Sequence, residues 1–300
     1  MIRLGLCCIF RKQPIKFRRT TATYLLGLPI RDRLDYLSRL CLENARSLLR
    51  ALQFCLQTGI GDFRINSQIL PLKTHPEAGY DVNDLPDGHQ IVNTFRTCGR
   101  FSRKNDIRTT FHPDQFILLS SASDEVTRRS LADLYYHAEV AEWVHADVIN
   151  IHGGGAYGNK TDALERVRRR ILDLPESVRS RLTLENDDRT YTPADLLPVC
   201  RDTGIGFVYD VHHHRCLPDG RSVEETTRSA LKTWNREPLF HVSSPKLGWN
   251  RGNVRNHHDY IDITDVPKCW LDLNITVEVE AKAKELAILK LKNELKHLPG

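Results

Sequence analysis

The chain of 300 residues is 40% hydrophobic and 27% charged, and 43 Lys+Arg against 38 Asp+Glu give a formal net charge of +5. This excludes a disordered or fibrous chain and supplies apolar material for one large domain over 1–300, with a mild lean toward polyanionic partners. No apolar run of about 18 residues offers a membrane span, and eight cysteines without a CxxC pair point to reduced thiols and a cytoplasmic protein.

Strand-like and helix-like segments alternate along the chain. Strands are expected over 2–9, 62–66, 107–112, 147–152, 182–185, 206–210, 239–243 and 275–280, where β-branched or aromatic runs meet turn residues. Helices are expected over 31–57, 124–144, 161–173 and 223–234, with a last one over 282–296. In the first of these, Leu34, Leu37, Cys41, Ala45, Leu48, Leu52 and Cys55 recur at three- and four-residue steps and make one apolar stripe. Strands joined by crossover helices make a parallel sheet, and eight is the number that closes as a (β/α)8 TIM barrel. A doubly wound open sheet is the alternative.

Metal-liking side chains gather where these strands end. The stretch GFVYDVHHHRCLPDG carries Asp210 and three histidines out of an apolar run, and Asp210-x-x-His213 reads as a chelating pair, with His212 and His214 in supporting roles. His112, His152, Glu185, Asp210, His241 and Glu280 fall in or at the ends of six strands, and His75, His213 and His257 follow in loops. A barrel opens all its strand carboxyl ends on one face, so these nine residues would converge there. One histidine at one strand end is ordinarily a hydrogen-bonded structural residue. Buried carboxylates, however, are costly unless paired or metal-bound, and their recurrence from strand to strand argues for a centre holding more than one zinc, manganese or iron ion.

Other features carry less. Arg11, Lys12, Lys16, Arg18 and Arg19 crowd the loop after the first strand, and Lys246, Trp249 and Arg251 lie in the loop after the seventh; both loops would flank the metals and can grip a phosphodiester backbone. Arg166, Arg168, Arg169 and Arg170 read as a solvated helix face. The glycines of His152-Gly-Gly-Gly would let the backbone pass close to the metals or substrate.

The segments FRINSQILPLKTHP, FHPDQF, NIHGGGAYGNK, LTLENDDRTYTP, VYDVHHHR, FHVSSPK, HHDYID and VEVEAKAKE occur in this order over nearly the whole chain. Together they resemble the UV damage endonuclease family. The resemblance implies a TIM barrel of the endonuclease IV/xylose isomerase kind and a divalent metal cluster, usually manganese. It implies a double-stranded DNA substrate carrying photolesions, nicked 5′ of the lesion to leave 3′-hydroxyl and 5′-phosphate ends; no protein partner is inferred. Glu185 would bridge two ions, with His112 and His152 completing one site and Asp210, His241 and Glu280 the other. His213 and His257 would hold a third ion, and His75 would sit catalytically beside the scissile phosphate. Gln115 and Phe116 would enter the gap left by flipped-out bases. Three positions depart from the family pattern. Leu6 stands where a tyrosine is frequent, Phe116 is one of two usual aromatics, and Leu239 replaces a lysine that is carboxylated and metal-bound in some members, leaving the third ion short of a ligand. An abasic-site endonuclease and a metal-dependent sugar isomerase or epimerase are the rival readings on the same barrel.

Overall fold

The computed structural model describes residues 2–114 and 116–297. Among them, eight parallel strands close into a barrel in chain order: β1 (Ile2–Cys7), β2 (Asp62–Ile65), β3 (Arg108–Phe111), β4 (Val148–His152), β5 (Leu182–Glu185), β6 (Gly206–Asp210), β7 (Leu239–Val242) and β8 (Ile275–Val279). Helices α1 (Ala22–Gly27), α2 (Ile30–Thr58), α3 (Gly88–Lys104), α4 (Asp124–Val144), α5 (Lys160–Leu172), α6 (Glu176–Arg179), α7 (Pro193–Thr203), α8 (Val211–Cys216), α9 (Val223–Leu231) and α10 (Glu285–Lys296) complete the chain. The open-sheet alternative is excluded by the pairing of β1 with β8, from Ile2–Ile275 to Leu6–Val279. No helix among the described residues is long and apolar enough to cross a membrane.

Most strands end one or two residues earlier than expected, because ladder pairing stops where the side chains turn to the rim. Besides the short α1, α6 and α8, two longer helices went unseen in the sequence. α3 has a sparse stripe, Ile91, Phe95 and Cys98, interrupted by Gly99, whose missing side chain lets it lie against the Trp143 carbonyl of α4. α7 contains Pro193 and Pro198, which lower helix propensity, yet Thr192 and Asp195 form a reciprocal capping box that starts it. The expected loop after β6 is instead α8.

Alternation along the strands sorts their side chains into two environments. Leu6, Phe63, Phe111, Ile149, Ile151, Leu184, Phe207, Tyr209, Phe240, Val277 and Val279 join the main core beneath the helices. Each such burial contributes about 1.5–3 kcal/mol. The opposite residues fill the barrel in layers. At the floor, Val148, Val208 and Leu239 form a separate small apolar cluster closed by Trp234. Above it lie buried polar residues: Asp62, Arg64, Thr110, Asn150, Thr183 and Glu278. The ionisable strand ends form the rim.

Candidate metal centre

The rim is organised around Glu185, the last residue of β5 and fully buried. Its Oε2 lies 2.9 Å from His112 Nε2 and 4.0 Å from His152 Nε2, and its Oε1 lies 3.0 Å from His241 Nδ1 and 3.5 Å from His213 Nδ1. The Asn150 side-chain amide donates to Glu185 Oε2 at 2.5 Å, while the Thr183 hydroxyl donates to Asn150 Oδ1 and fixes that amide's orientation. His112 Nδ1 lies 3.2 Å from the Pro113 carbonyl, so each nitrogen of this ring faces an acceptor and the ring's orientation is fixed.

Asp210 answers why a strand end should carry Asp-Val-His-His-His. It is at once the end of β6 and the N-cap of α8: its Oδ1 accepts the His213 N–H at 2.7 Å. Its Oδ2 is buried with no hydrogen-bond partner. The helical turn sends the three imidazoles in different directions. His212 is buried against Trp249 and His257, with ring centroids 5.1 Å away in both cases. His213 faces Glu185, and His214 donates to Asp219 Oδ1 at 3.0 Å while accepting the Tyr209 hydroxyl at 2.7 Å.

Three donor groups result: His112, His152 and Glu185; Glu185, Asp210 and His213; and Asp210, His241 and Glu280, with the candidate donor atoms of each group within 4.8 Å of one another. Burial alone would raise the Glu185 carboxyl, but His241, His152 and His112 hold it well below the usual carboxylate range. Burial is likewise overcome at Glu280 by Arg64 and His241. Burial opposes charge on His213, yet Asp210, Glu185 and Glu280 carry its pKa up to about 9. At His152 burial wins and the imidazole is pushed toward its neutral form, the form that ligates. The donor set is nitrogen and oxygen without thiolate, and both Asp210 Oδ2 and His152 Nδ1 are buried and orphaned. These residues fit divalent ions of the manganese, zinc or iron kind.

The grouping differs from the expected one at the third ion. His213 joins Glu185 and Asp210, its ring centroid is 6.4 Å from that of His257, and His257 Nδ1 lies 3.9 Å from Glu280 Oε2. Leu239 is one barrel layer below His241 and offers no donor. His258 and Asp262 do not replace it: their side chains accept the N–H groups of Tyr260 and Thr264 in local turns.

A cleft runs beside the rim. Phe116 is 72% exposed, and Gln115 lies outside the described residues. Arg19, Cys8, Arg64, His112 and Phe116 line one side of this cleft, while His75, Lys73, Asp114 and Phe116 line its continuation. His75 Nδ1 accepts the N–H groups of Glu77 and Ala78 at 3.2 Å each, so the ring proton sits on Nε2. Arg11, Lys12, Lys16, Arg18 and Arg19 are exposed, as are Lys246 and Arg251. Arg18 is tied to Glu43 at 2.8 Å, and the Glu285 carboxylate accepts the N–H groups of Arg11 and Lys12 at 2.7 Å each, which fixes the loop against α10.

Three sequence expectations change. Trp249 is half-buried, donating to Asp265 Oδ1 at 2.7 Å, so it anchors its loop over His212 and is not a free aromatic. Arg166 and Arg170 are not a solvated face: they donate to the carbonyls of Ser120, and of Leu119 and Ser121, clamping the segment between Phe116 and α4. Gly153 and Gly154 make room for the Tyr191 ring and Ser120, with Gly154 at φ +84°, so their close approach is to the protein itself. Sequence reasoning also missed Arg64 and Glu278. The signal was the Glu-x-Glu of VEVE, whose spacing puts both carboxylates on the same face of β8.

A family model described as UV-endonuclease UvdE matches residues 2–300. The chain is 36% identical to the UV DNA damage endonuclease of Bacillus velezensis, over 98% of this chain and 92% of that one. The crystal structure of SacUVDE superposes with a TM-score of 0.88 at 25% identity, covering 99% of this chain and 98% of that one. Endonuclease IV from Thermus thermophilus shares the barrel at a TM-score of 0.59 and 16% identity, over 84% of this chain and 95% of that one. By the whole-chain family match and this level of identity, the chain belongs to the UV-endonuclease UvdE family.

Proposed function

We propose that this DNA-cleaving hydrolase cuts the phosphodiester backbone immediately 5′ of UV photolesions, cyclobutane dimers and 6-4 photoproducts alike, leaving a 3′-hydroxyl and a 5′-phosphate, with manganese as the working ion. The observation that carries the reading is the set of three donor groups sharing Glu185 and Asp210 beside a cleft lined by Arg19, His75 and Phe116. Divalent ions bound there would lower the pKa of water toward neutrality and offset charge building on the phosphate. Glu185 holds two donor groups in fixed register, and Asn150 and His112 keep its oxygens from turning away. His75, with its proton on Nε2, donates to a non-bridging phosphate oxygen. Arg19, Arg11, Lys12, Lys16, Lys246 and Arg251 neutralise flanking phosphates, with Arg18 sharing its charge with Glu43. Phe116, together with Gln115, fills the space from which a lesion is extruded. Selection is energetic: a photodimer stacks and pairs poorly, so bending and unstacking cost less there than in intact duplex.

An end-labelled duplex with one cyclobutane dimer tests this. The expected result is one manganese-dependent cut at the phosphodiester 5′ of the dimer, with a 3′ end that a polymerase extends. Cutting of an abasic duplex alone, with the dimer duplex intact, would overturn it in favour of an abasic-site endonuclease.

A further inference from the structure

The end of the barrel opposite the rim carries a charged cluster that the metal centre does not use. Arg103, His145, Asp147, Ser180, Arg181 and Arg236 line an open basin of about 390 Å³. They come from the last turn of α3, the C-cap of α4 and the residues just before β4, β5 and β7, so the basin lies at the amino ends of the strands. The five residues of β4 separate it from the rim, about 16 Å of strand, so a duplex laid across the rim stays clear of it.

Cations near helix C-termini are ordinarily solvated partners of the helix dipole, and Arg103 alone would be one. The guanidinium groups around it go further. Arg108 takes both oxygens of Asp147, at 3.0 and 2.9 Å. Arg236 approaches the same carboxylate, but its Nε stays 3.4 Å from Oδ2 and is buried without a hydrogen-bond partner. One carboxylate thus serves Arg108 and Arg236, and Arg103 and Arg181 add charge that no other acid lining the basin offsets. The neighbours register this surplus. Burial, then Arg103, Arg181 and Arg100, hold the His145 imidazole below its ordinary range. Burial lowers Arg236 as well; Asp147 opposes that shift, while Arg108 and Arg181 reinforce it.

The cations are also held in place. Arg236 lies over Trp234, 5.2 Å from the ring centroid, and donates to the Asp147 carbonyl at 2.9 Å. Arg181 Nε and Nη1 donate to the carbonyls of Ala146 and Ser177 at 3.1 and 2.9 Å. Among the described residues, Arg181 Nη2 and the Arg103 guanidinium find no hydrogen-bond acceptor, so both are free to meet a ligand. Fixed donors with surplus positive charge bind an oxyanion with little reorganisation. Among the described residues that line the basin, Ala146 is the one apolar side chain and none is Phe, Tyr or Trp. The basin therefore offers charge and hydrogen bonds, and no platform on which a base could stack.

We propose that this basin binds a phosphate dianion, held by Arg103, Arg181 and Arg236 with His145 at its edge, as a site separate from the metal centre. The reading of the rim as a nuclease centre does not enter the argument.

The test follows the ring-proton resonances of His145 in the full chain, assigned by their absence from His145→Gln. The protein is titrated at fixed pH with inorganic phosphate and, separately, with sodium chloride at equal ionic strength. Phosphate should shift these resonances along a saturable curve that chloride does not reproduce. Arg103→Gln removes an exposed side chain with no partner to lose, and should weaken phosphate binding about tenfold, the effect of deleting one charged hydrogen-bonding group, with nicking of irradiated plasmid unchanged. Equal shifts from phosphate and chloride, or wild-type phosphate affinity in Arg103→Gln, would overturn the site. Loss of nicking in that variant would overturn its separation from the rim. Dimethyl phosphate carries a single charge and should bind more weakly than phosphate; binding as tight would reassign the basin to a nucleic-acid backbone and overturn the proposal.

Discussion

On β7, Leu239 and His241 are two residues apart and point into the same barrel, but Leu239 packs with Val148 and Val208 while His241 touches three carboxylates. The same contrast runs along β4, from Val148 to His152, and along β6, from Val208 to Asp210. One end of each strand closes a dry floor, and the other ends in a rim where charge is concentrated and hydrogen bonds are left open. Between them lies the polar layer of Arg64, Thr110, Asn150 and Glu278: Arg64 and Asn150 bond the rim carboxylates Glu280 and Glu185, and Arg64 and Thr110 hold Glu278. The difference teaches that stability and chemistry are separable along a single strand.

Substitutions at the two ends should therefore fail in different ways. The largest effect is expected at Glu185, which two donor groups share. Glu185→Gln should lower the rate of nicking irradiated DNA by about 10³-fold, comparable to losing a main electrostatic contributor at an active site, and should reduce bound manganese. Plasmid nicking together with metal analysis checks both; wild-type nicking by the variant would remove Glu185 from the centre. At the floor, Leu239→Ala should cost about 2–5 kcal/mol in urea unfolding while leaving nicking per folded molecule unchanged. If that variant instead lost activity with its stability intact, the separation of floor from rim would be broken.

How much of this was legible depends on the kind of residue. Rim residues were readable because a histidine or carboxylate closing an apolar run is conspicuous, and β5 and β6 were bounded correctly for that reason. The middle layer was not, because Arg64 and Glu278 inside short strands look like surface charges until the barrel closes around them. α3 was hidden by its glycines and α7 by its prolines, and only tertiary packing compensates for their low propensity. Arg166, Arg170 and Trp249 were misread because their partners are carbonyls and a carboxylate on other elements, which no local pattern reveals.

Smaller effects sharpen the comparison. Phe116→Ala should weaken binding of a lesion-bearing duplex by about 1–3 kcal/mol, with metal content unchanged, as measured by fluorescence anisotropy; equal binding would exclude Phe116 from lesion recognition. The rim should also respond to pH where the floor does not. His213 has its pKa raised to about 9, so its ion pairing stabilises the metal-free fold fully below the unfolded value of about 6.5, and that contribution is lost as pH rises through 9. Metal must displace the same proton, so affinity should fall about tenfold for each pH unit below 9. Manganese affinities flat between pH 6.5 and 9 would show that His213 does not ligate.

The central claim is that the rim is a metal-dependent centre for cutting UV-damaged DNA. Its most direct test is to incubate irradiated and unirradiated supercoiled plasmid with metal-stripped protein, with and without added manganese. The account predicts conversion to open circles only for irradiated plasmid and only when manganese is present. Equal nicking of both plasmids, or nicking of irradiated plasmid by the stripped protein in excess chelator, would contradict it.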